Sequence, residues 1–269
     1  MSKEEKRNTP TIVRIAAAAS LVDALEAMKP DLLRLYGVEE IDIYQGSSGY
    51  LAARIIAGTI NADIFFPAAS FPMQDLIDEE LVLASAVRNV LGNKLVLIKN
   101  KVADWSNRPA ITGFGNVQCA NTVAVGTKIF VAIPYNYPIG DPNGLAYNVP
   151  AGRYAKATFQ HFHNWDFVEA HATFTDMWNV RQVLNAVADC PTPAVGVVYE
   201  TDALYSPRSS CVSIIDTAPS AINNSIIYPI APIVDNVGAG IVESVINFIR
   251  CDGLHHFTDR GFIDRTQQV

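Results

Sequence analysis

From residue 11 onward the chain alternates two hydrophobic patterns. Residues 11–18 are nearly all apolar, as a strand buried on both faces requires, and residues 20–28 then place Leu21, Ala24, Leu25 and Met28 at helical spacing. Residues 41–44 alternate like a strand before a helix over 48–57 that ends near Gly58, and residues 62–67 form a third short strand ahead of a helix over 71–83. A strand over 91–99 follows, then an irregular stretch over 102–138 that reads as an insertion or elaborated loop. Helical periodicity returns at 150–163 and 176–188, with a buried strand at 194–199 and another at 211–215. The succession predicts an α/β fold of mostly parallel sheets covered on both faces.

Residues 226–234 read as a segment crossing back to the first half, with helices over 239–251 and around 254–260. The expected organisation is two lobes joined by a hinge. Lobe one holds 11–90 plus 225–269, and lobe two holds 91–224 with the insertion at 102–138.

Composition narrows the functional classes. Hydrophobic residues make up 49% of the 269 and charged residues 17%, as in a folded globule. The net charge of −7 and the lack of any Lys/Arg cluster argue against nucleic acid, so a bound anion must be captured locally. The apolar segment over 12–25 is broken by Arg14 and Asp23, too short for a bilayer span. The polar start, Met1 to Asn8, lacks the apolar core of a secretory signal, which leaves a cytosolic protein or one whose signal has been removed. Cys119, Cys190, Cys211 and Cys251 lack the paired spacing of a zinc or redox site; either they are free thiols or, in an exported protein, Cys190 pairs with Cys211.

The chemistry concentrates at helix starts. Ala19-Ser20-Leu21, Ser47-Ser48-Gly49, Val149-Pro150-Ala151-Gly152 and Trp178-Asn179-Val180 each put small or hydroxyl-bearing residues where a helix begins, and none supplies a carboxylate. Helix starts expose unpaired N–H groups and about half a positive charge, so several converging on one point hold an anion without Lys or Arg. Taken singly, Ser20 and Ser48 read equally well as helix caps.

Ala16-Ala17-Ala18-Ala19-Ser20-Leu21, Gly46-Ser47-Ser48 with Leu51-Ala52-Ala53-Arg54, and Ala62-Asp63-Ile64-Phe65 together resemble the first lobe of molybdate-binding periplasmic proteins, the solute receptors of molybdate ABC importers. Ile139-Gly140-Asp141-Pro142, Val149-Pro150-Ala151-Gly152-Arg153, Asn179-Val180-Arg181-Gln182 and Gly196-Val197-Val198-Tyr199 continue the likeness in order. The resemblance implies the two-lobed periplasmic-binding-protein fold of type II, an extracytoplasmic location, a membrane permease of an ABC transporter as partner, a monomer, and no cofactor or metal beyond molybdate or tungstate as ligand. It implies ligand donors at Ser20 and Ser48 through hydroxyl and backbone N–H, at Ala151 and Val180 through backbone N–H, and at Tyr199 through the phenol, with Tyr199 preferred to Glu200.

Every group in that set donates a hydrogen bond, which suits a fully deprotonated oxyanion and disfavours hydrogen phosphate. Sulfate, chromate or a small organic acid stay open as alternatives. Tyr50 stands where it intrudes on the cleft or closes over it, residues 143–148 lengthen one approach, and Arg181 is expected to pair with a carboxylate such as Asp176. The five histidines lack metal-site spacing, and Gly46-Ser47-Ser48-Gly49 lacks the glycines of a nucleophile elbow, so catalysis is not expected.

Overall fold

The computed structural model describes residues 11–106, 110–121, 127–133, 149–174, 176–236 and 240–267. The motif at 139–142 and the approach at 143–148 lie outside them.

The apolar run that opens the chain is the strand β1 (Ile12–Ala18), with β2 (Glu40–Gly46) parallel to it on one side and β3 (Ile64–Phe66) on the other. Its side chains alternate between two cores: Ile15 and Ala17 face the main one, and Ala16 joins Leu51, Phe65, Met73 and Leu76 on the opposite face. The helices α1 (Val22–Tyr36), α2 (Ser48–Ile56) and α3 (Ser70–Asp78) follow the three strands. The first outruns the sequence pattern, passing through Pro30 and stopping at Gly37, whose left-handed φ of 63° ends a helix at little cost in glycine.

The single strand expected over 91–99 is two strands in two sheets. β4 (Arg88–Gly92) completes the first lobe's pairing, Asn93 and Lys94 cross over, and β5 (Leu95–Asn100) begins the second sheet. Gly92, Asn93 and Lys94 interrupt the apolar run at the crossing, a short polar break that the expectation of one strand passed over. β6 (Lys128–Phe130), α4 (Pro150–His161), α5 (Trp165–His171), α6 (Val180–Asp189), β7 (Ala194–Tyr199), α7 (Glu200–Tyr205), β8 (Val212–Thr217) and α8 (Ser220–Asn224) build the second lobe. β9 (Ile227–Pro232) returns to the first, followed by α9 (Gly240–Arg250), α10 (His255–Thr258) and β10 (Ile263–Asp264).

The six-stranded sheet has the order β10-β4-β9-β3-β1-β2, and the four-stranded sheet the order β6-β7-β5-β8. The α/β two-lobed class stands, but both sheets are mixed. Parallel pairing holds for β1 with β2 and β3 and for β6 with β7, whereas β9 and β5 run antiparallel to their neighbours. The reason is the double crossing: a strand entering from the other lobe comes in from the opposite end. Because β4 and β9 pair side by side, from Arg88 with Ile230 to Gly92 with Ile227, the two connections between lobes lie next to each other.

The stretch over 102–138 is partly core. Phe114 and Val117 are buried, and the Phe114 ring stands edge-on to Phe159 at 5.3 Å and stacks on Phe162 at 6.2 Å. Cys190, Cys211 and Cys251 are free thiols, so the Cys190–Cys211 pairing is not formed.

Candidate functional site

Ser20 follows the carboxyl end of β1, Ser47 and Ser48 that of β2, and Ala68 that of β3, the side of an α/β sheet where ligand sites form. The second lobe brings Val149, Pro150 and Ala151 from the start of α4, Asn179 and Val180 from the start of α6, and Tyr199 from the end of β7. These residues line one cavity between the lobes, about 3 Å from centre to wall, room for one small polyatomic ion. The five predicted positions, Ser20, Ser48, Ala151, Val180 and Tyr199, all stand on this wall. Among the described residues lining it, none is charged.

The hydroxyls and amides are set to donate. Ser48 Oγ accepts the Ala68 N–H at 2.9 Å, which frees its own proton. Neither serine is the cap that each resembles in isolation: Ser48 is the first residue of α2, and Ser20 sits in the 3-10 turn ahead of α1. Among the described residues, no side chain caps α2 or α4. At α6, Asn179 Oδ1 takes the Arg181 and Gln182 amides, and Val183 N–H donates to Asn179 O, which leaves the Val180 amide for the cavity. Ser47 Oγ and Tyr199 Oη are buried without a hydrogen-bond partner among the described residues. A buried hydroxyl left unpaired costs roughly 1–3 kcal/mol, so two on one wall mark a surface built to meet something polar. Burial foremost, with the neighbouring Tyr228 phenol adding to it, raises the Tyr199 pKa well above the usual phenol value and keeps its proton in place.

Gly152 shows how closely α4 is seated. A Cβ there would stand 2.3 Å from Ile133 O and 2.4 Å from Ala132 O, so only glycine lets this helix start approach the chain that leaves β6.

Beside the neutral cavity lies a charged cluster. Arg181 pairs with Asp23 on α1 at 2.7 Å and with the fully buried Asp202 on α7, instead of Asp176. Asp176, where the sequence pattern starts the helix, lies instead in the turn before α6 at a left-handed φ of 60°, four residues ahead of the observed start at Val180. Burial raises the Asp202 carboxyl from 3.8 to about 6 against the opposing pull of Arg181, and its Oδ2 has no hydrogen-bond partner among the described residues. A second contact between lobes places the Arg153 guanidinium 4.2 Å from the centre of the Phe71 ring.

Tyr50 does not line the cavity: its hydroxyl accepts from Arg54 at 3.1 Å, one turn along α2. Glu200 also lies off the wall, paired with Lys94 at 3.1 Å. Among the described residues, no group of three His, Cys, Asp or Glu gathers as a metal site requires. Sequence reasoning missed Asn93, Tyr228 and Asp202, all fully buried polar groups near the site. Tyr228 stands in an apolar strand and carried no signal, whereas Asn93 lies in the short polar break Gly92-Asn93-Lys94, which marks a turn but not a buried polar group.

The model of bacterial extracellular solute-binding proteins matches residues 13–262. The chain belongs to this family. Among curated relatives, this solute-binding protein is 32% identical over 259 residues, 96% of its own length and 87% of the other's, to YvgL of Bacillus subtilis (strain 168), named as a candidate ABC transporter substrate-binding lipoprotein. It is 29% identical over 219 residues, 81% of its length and 77% of the relative's, to the molybdate-binding protein ModA of Haemophilus influenzae. In fold, it matches the periplasmic molybdate-binding protein of Azotobacter vinelandii with a TM-score of 0.68 at 16% identity, covering 93% of this chain and 98% of that one.

Proposed function

We propose that this solute-binding protein captures molybdate, with tungstate as a co-ligand, outside the cytoplasm and delivers it to the membrane permease of an ABC importer. The observation that carries the reading is the cavity wall, where helix starts and hydroxyls from both lobes converge with no charged side chain among them. A tetrahedral dianion presents four acceptor oxygens and no proton. Ser20, Ser48 and Tyr199 offer hydroxyl protons to it, and backbone amides come from Ser20 and Ser48 and from Ala151 and Val180 at the positive ends of α4 and α6. Charge-assisted hydrogen bonds contribute roughly 1.5–3 kcal/mol each, so six or seven support micromolar or tighter affinity after the cost of closure. Donors come from both lobes, so only the closed form satisfies the anion, and capture and closure become one event. The permease then reads the closed form.

Calorimetric titration with molybdate, tungstate, sulfate and phosphate at neutral pH tests this directly. Tight heats for the first two with phosphate silent are expected. Tight sulfate binding with molybdate silent would move the assignment to a smaller oxyanion, and silence from all four would remove it.

A further inference from the structure

Asn93 is the residue at which the chain leaves the first lobe, and its side chain is fully buried. Its Oδ1 accepts the Lys94 N–H at 2.8 Å, which fixes the amide's orientation because a backbone N–H can only donate. Its Nδ2 therefore donates twice: to Thr201 Oγ1 in the second lobe at 2.9 Å and to the Tyr228 hydroxyl at 3.1 Å. Tyr228 has a further partner, Ser20 Oγ, at 3.1 Å. With Asn93 supplying the bond into the phenol oxygen, the phenol's own proton is left for Ser20, and sending it elsewhere would strand a buried hydroxyl. Burial raises the Tyr228 pKa far above the ordinary phenol range, so that proton is present at every physiological pH.

We propose that Asn93 and Tyr228 form a one-way hydrogen-bond relay, from the crossing between the lobes to the ligand cavity, that fixes Ser20 as an obligate donor and thereby selects oxyanions carrying no proton. Ser20 receives the Tyr228 proton on its oxygen and turns its own toward the cavity. An oxyanion bearing a hydrogen there meets two donors face to face and is rejected. Ser48 is set the same way by the Ala68 N–H, so the serines on the two parallel strand ends are both held as donors by groups behind them. Asn93 and Tyr228 are positioning residues that act through Ser20. The inference rests on the oxyanion reading for its ligand and on the hydrogen-bond geometry alone for its direction.

Two measurements separate those supports. Neutron diffraction from crystals of the full chain exchanged into heavy water should place the Tyr228 deuteron toward Ser20 and the Ser20 deuteron toward the cavity; a Ser20 deuteron aimed at Tyr228 overturns the relay whatever the ligand. A double-mutant cycle then reads its consequence. Tyr228→Phe should weaken molybdate binding about tenfold in the presence of Ser20, the size of one hydrogen bond, and have no further effect in Ser20→Ala. Equal losses in both backgrounds would assign Tyr228 to the fold and overturn the relay. If the unaltered protein takes up no molybdate, the ligand assignment fails while the neutron map still decides the direction of the protons.

Discussion

Two arrangements suited to an anion adjoin at the start of α6, one of them the proposed ligand cavity, and they differ in means. The cavity beside Val180 offers neutral donors to a mobile guest, whereas Arg181, the next residue, holds the carboxylates of Asp23 and Asp202 by formal charge. The contrast separates two tasks. A guanidinium in the cavity would attract any anion, including protonated ones, and would leave an unpaired buried charge when the ligand departs. Dipoles and hydroxyls already paired from behind leave no such charge. Outside the cavity Arg181 on α6 reaches Asp23 on α1, an ion pair between the two lobes.

The largest effect should come from stripping the neutral device. Replacing both Ser20 and Ser48 by Ala removes two charge-assisted donors, a loss on the order of 10²- to 10⁴-fold in molybdate affinity by titration calorimetry. The change also leaves the Ala68 N–H without the acceptor it now has, so a small drop in melting temperature without ligand is expected. Binding retained within a few-fold of the original would remove the cavity as the site.

Arg181→Ala attacks the charged device and should act on stability first. Asp202 is wholly buried, and removing the cation leaves its carboxylate uncompensated, at a cost of about 3 kcal/mol in chemical unfolding at pH 8. Its effect on molybdate affinity should be smaller than that of the double serine change. The opposite ranking would mean that the cation acts on the ligand itself.

Much of this arrangement was legible in the residues. Helix starts are local events, written in Ser47-Ser48 ahead of an amphipathic run or in Pro150 at the first turn, and the four that looked alike in sequence do converge. The polar groups behind them were not legible. Asn93, Tyr228 and Asp202 meet partners 108 and 135, 208, and 21 residues away in the chain, respectively, and such pairings leave no periodicity. β4 and β5 merged into one apparent strand for a different reason: the break at Gly92-Asn93-Lys94 is only three residues long, and an exchange of sheets there reads like an irregularity within one strand.

A pH series isolates Asp202 more finely. Its carboxyl, raised by burial from 3.8 to about 6, binds a proton in the folded protein at pH values where the unfolded chain has already lost it. By linkage, this group adds stability as the pH falls through about 6 toward its unfolded value, the reverse of an ordinary salt-bridged carboxylate. The melting temperature of the unaltered protein should therefore rise relative to that of Asp202→Asn between pH 7 and pH 4.5. A difference that stays flat across this range would show that Arg181 outweighs burial and holds Asp202 ionised.

The smallest effect belongs to Asp23, which meets Arg181 across the lobes with its side chain 37% exposed. Water and salt screen such a pair, and exposed pairs contribute roughly 0.2–1 kcal/mol. Asp23→Ala should weaken molybdate binding only two- to fivefold, through a closed form that is less favoured, and the deficit should shrink as salt is raised. Because the cavity donors come from backbone and hydroxyl groups, affinity in the Asp23→Ala variant itself should respond weakly to salt. Strong salt dependence persisting there would place net charge, instead of aligned donors, at the centre of capture and would collapse the distinction between the two devices.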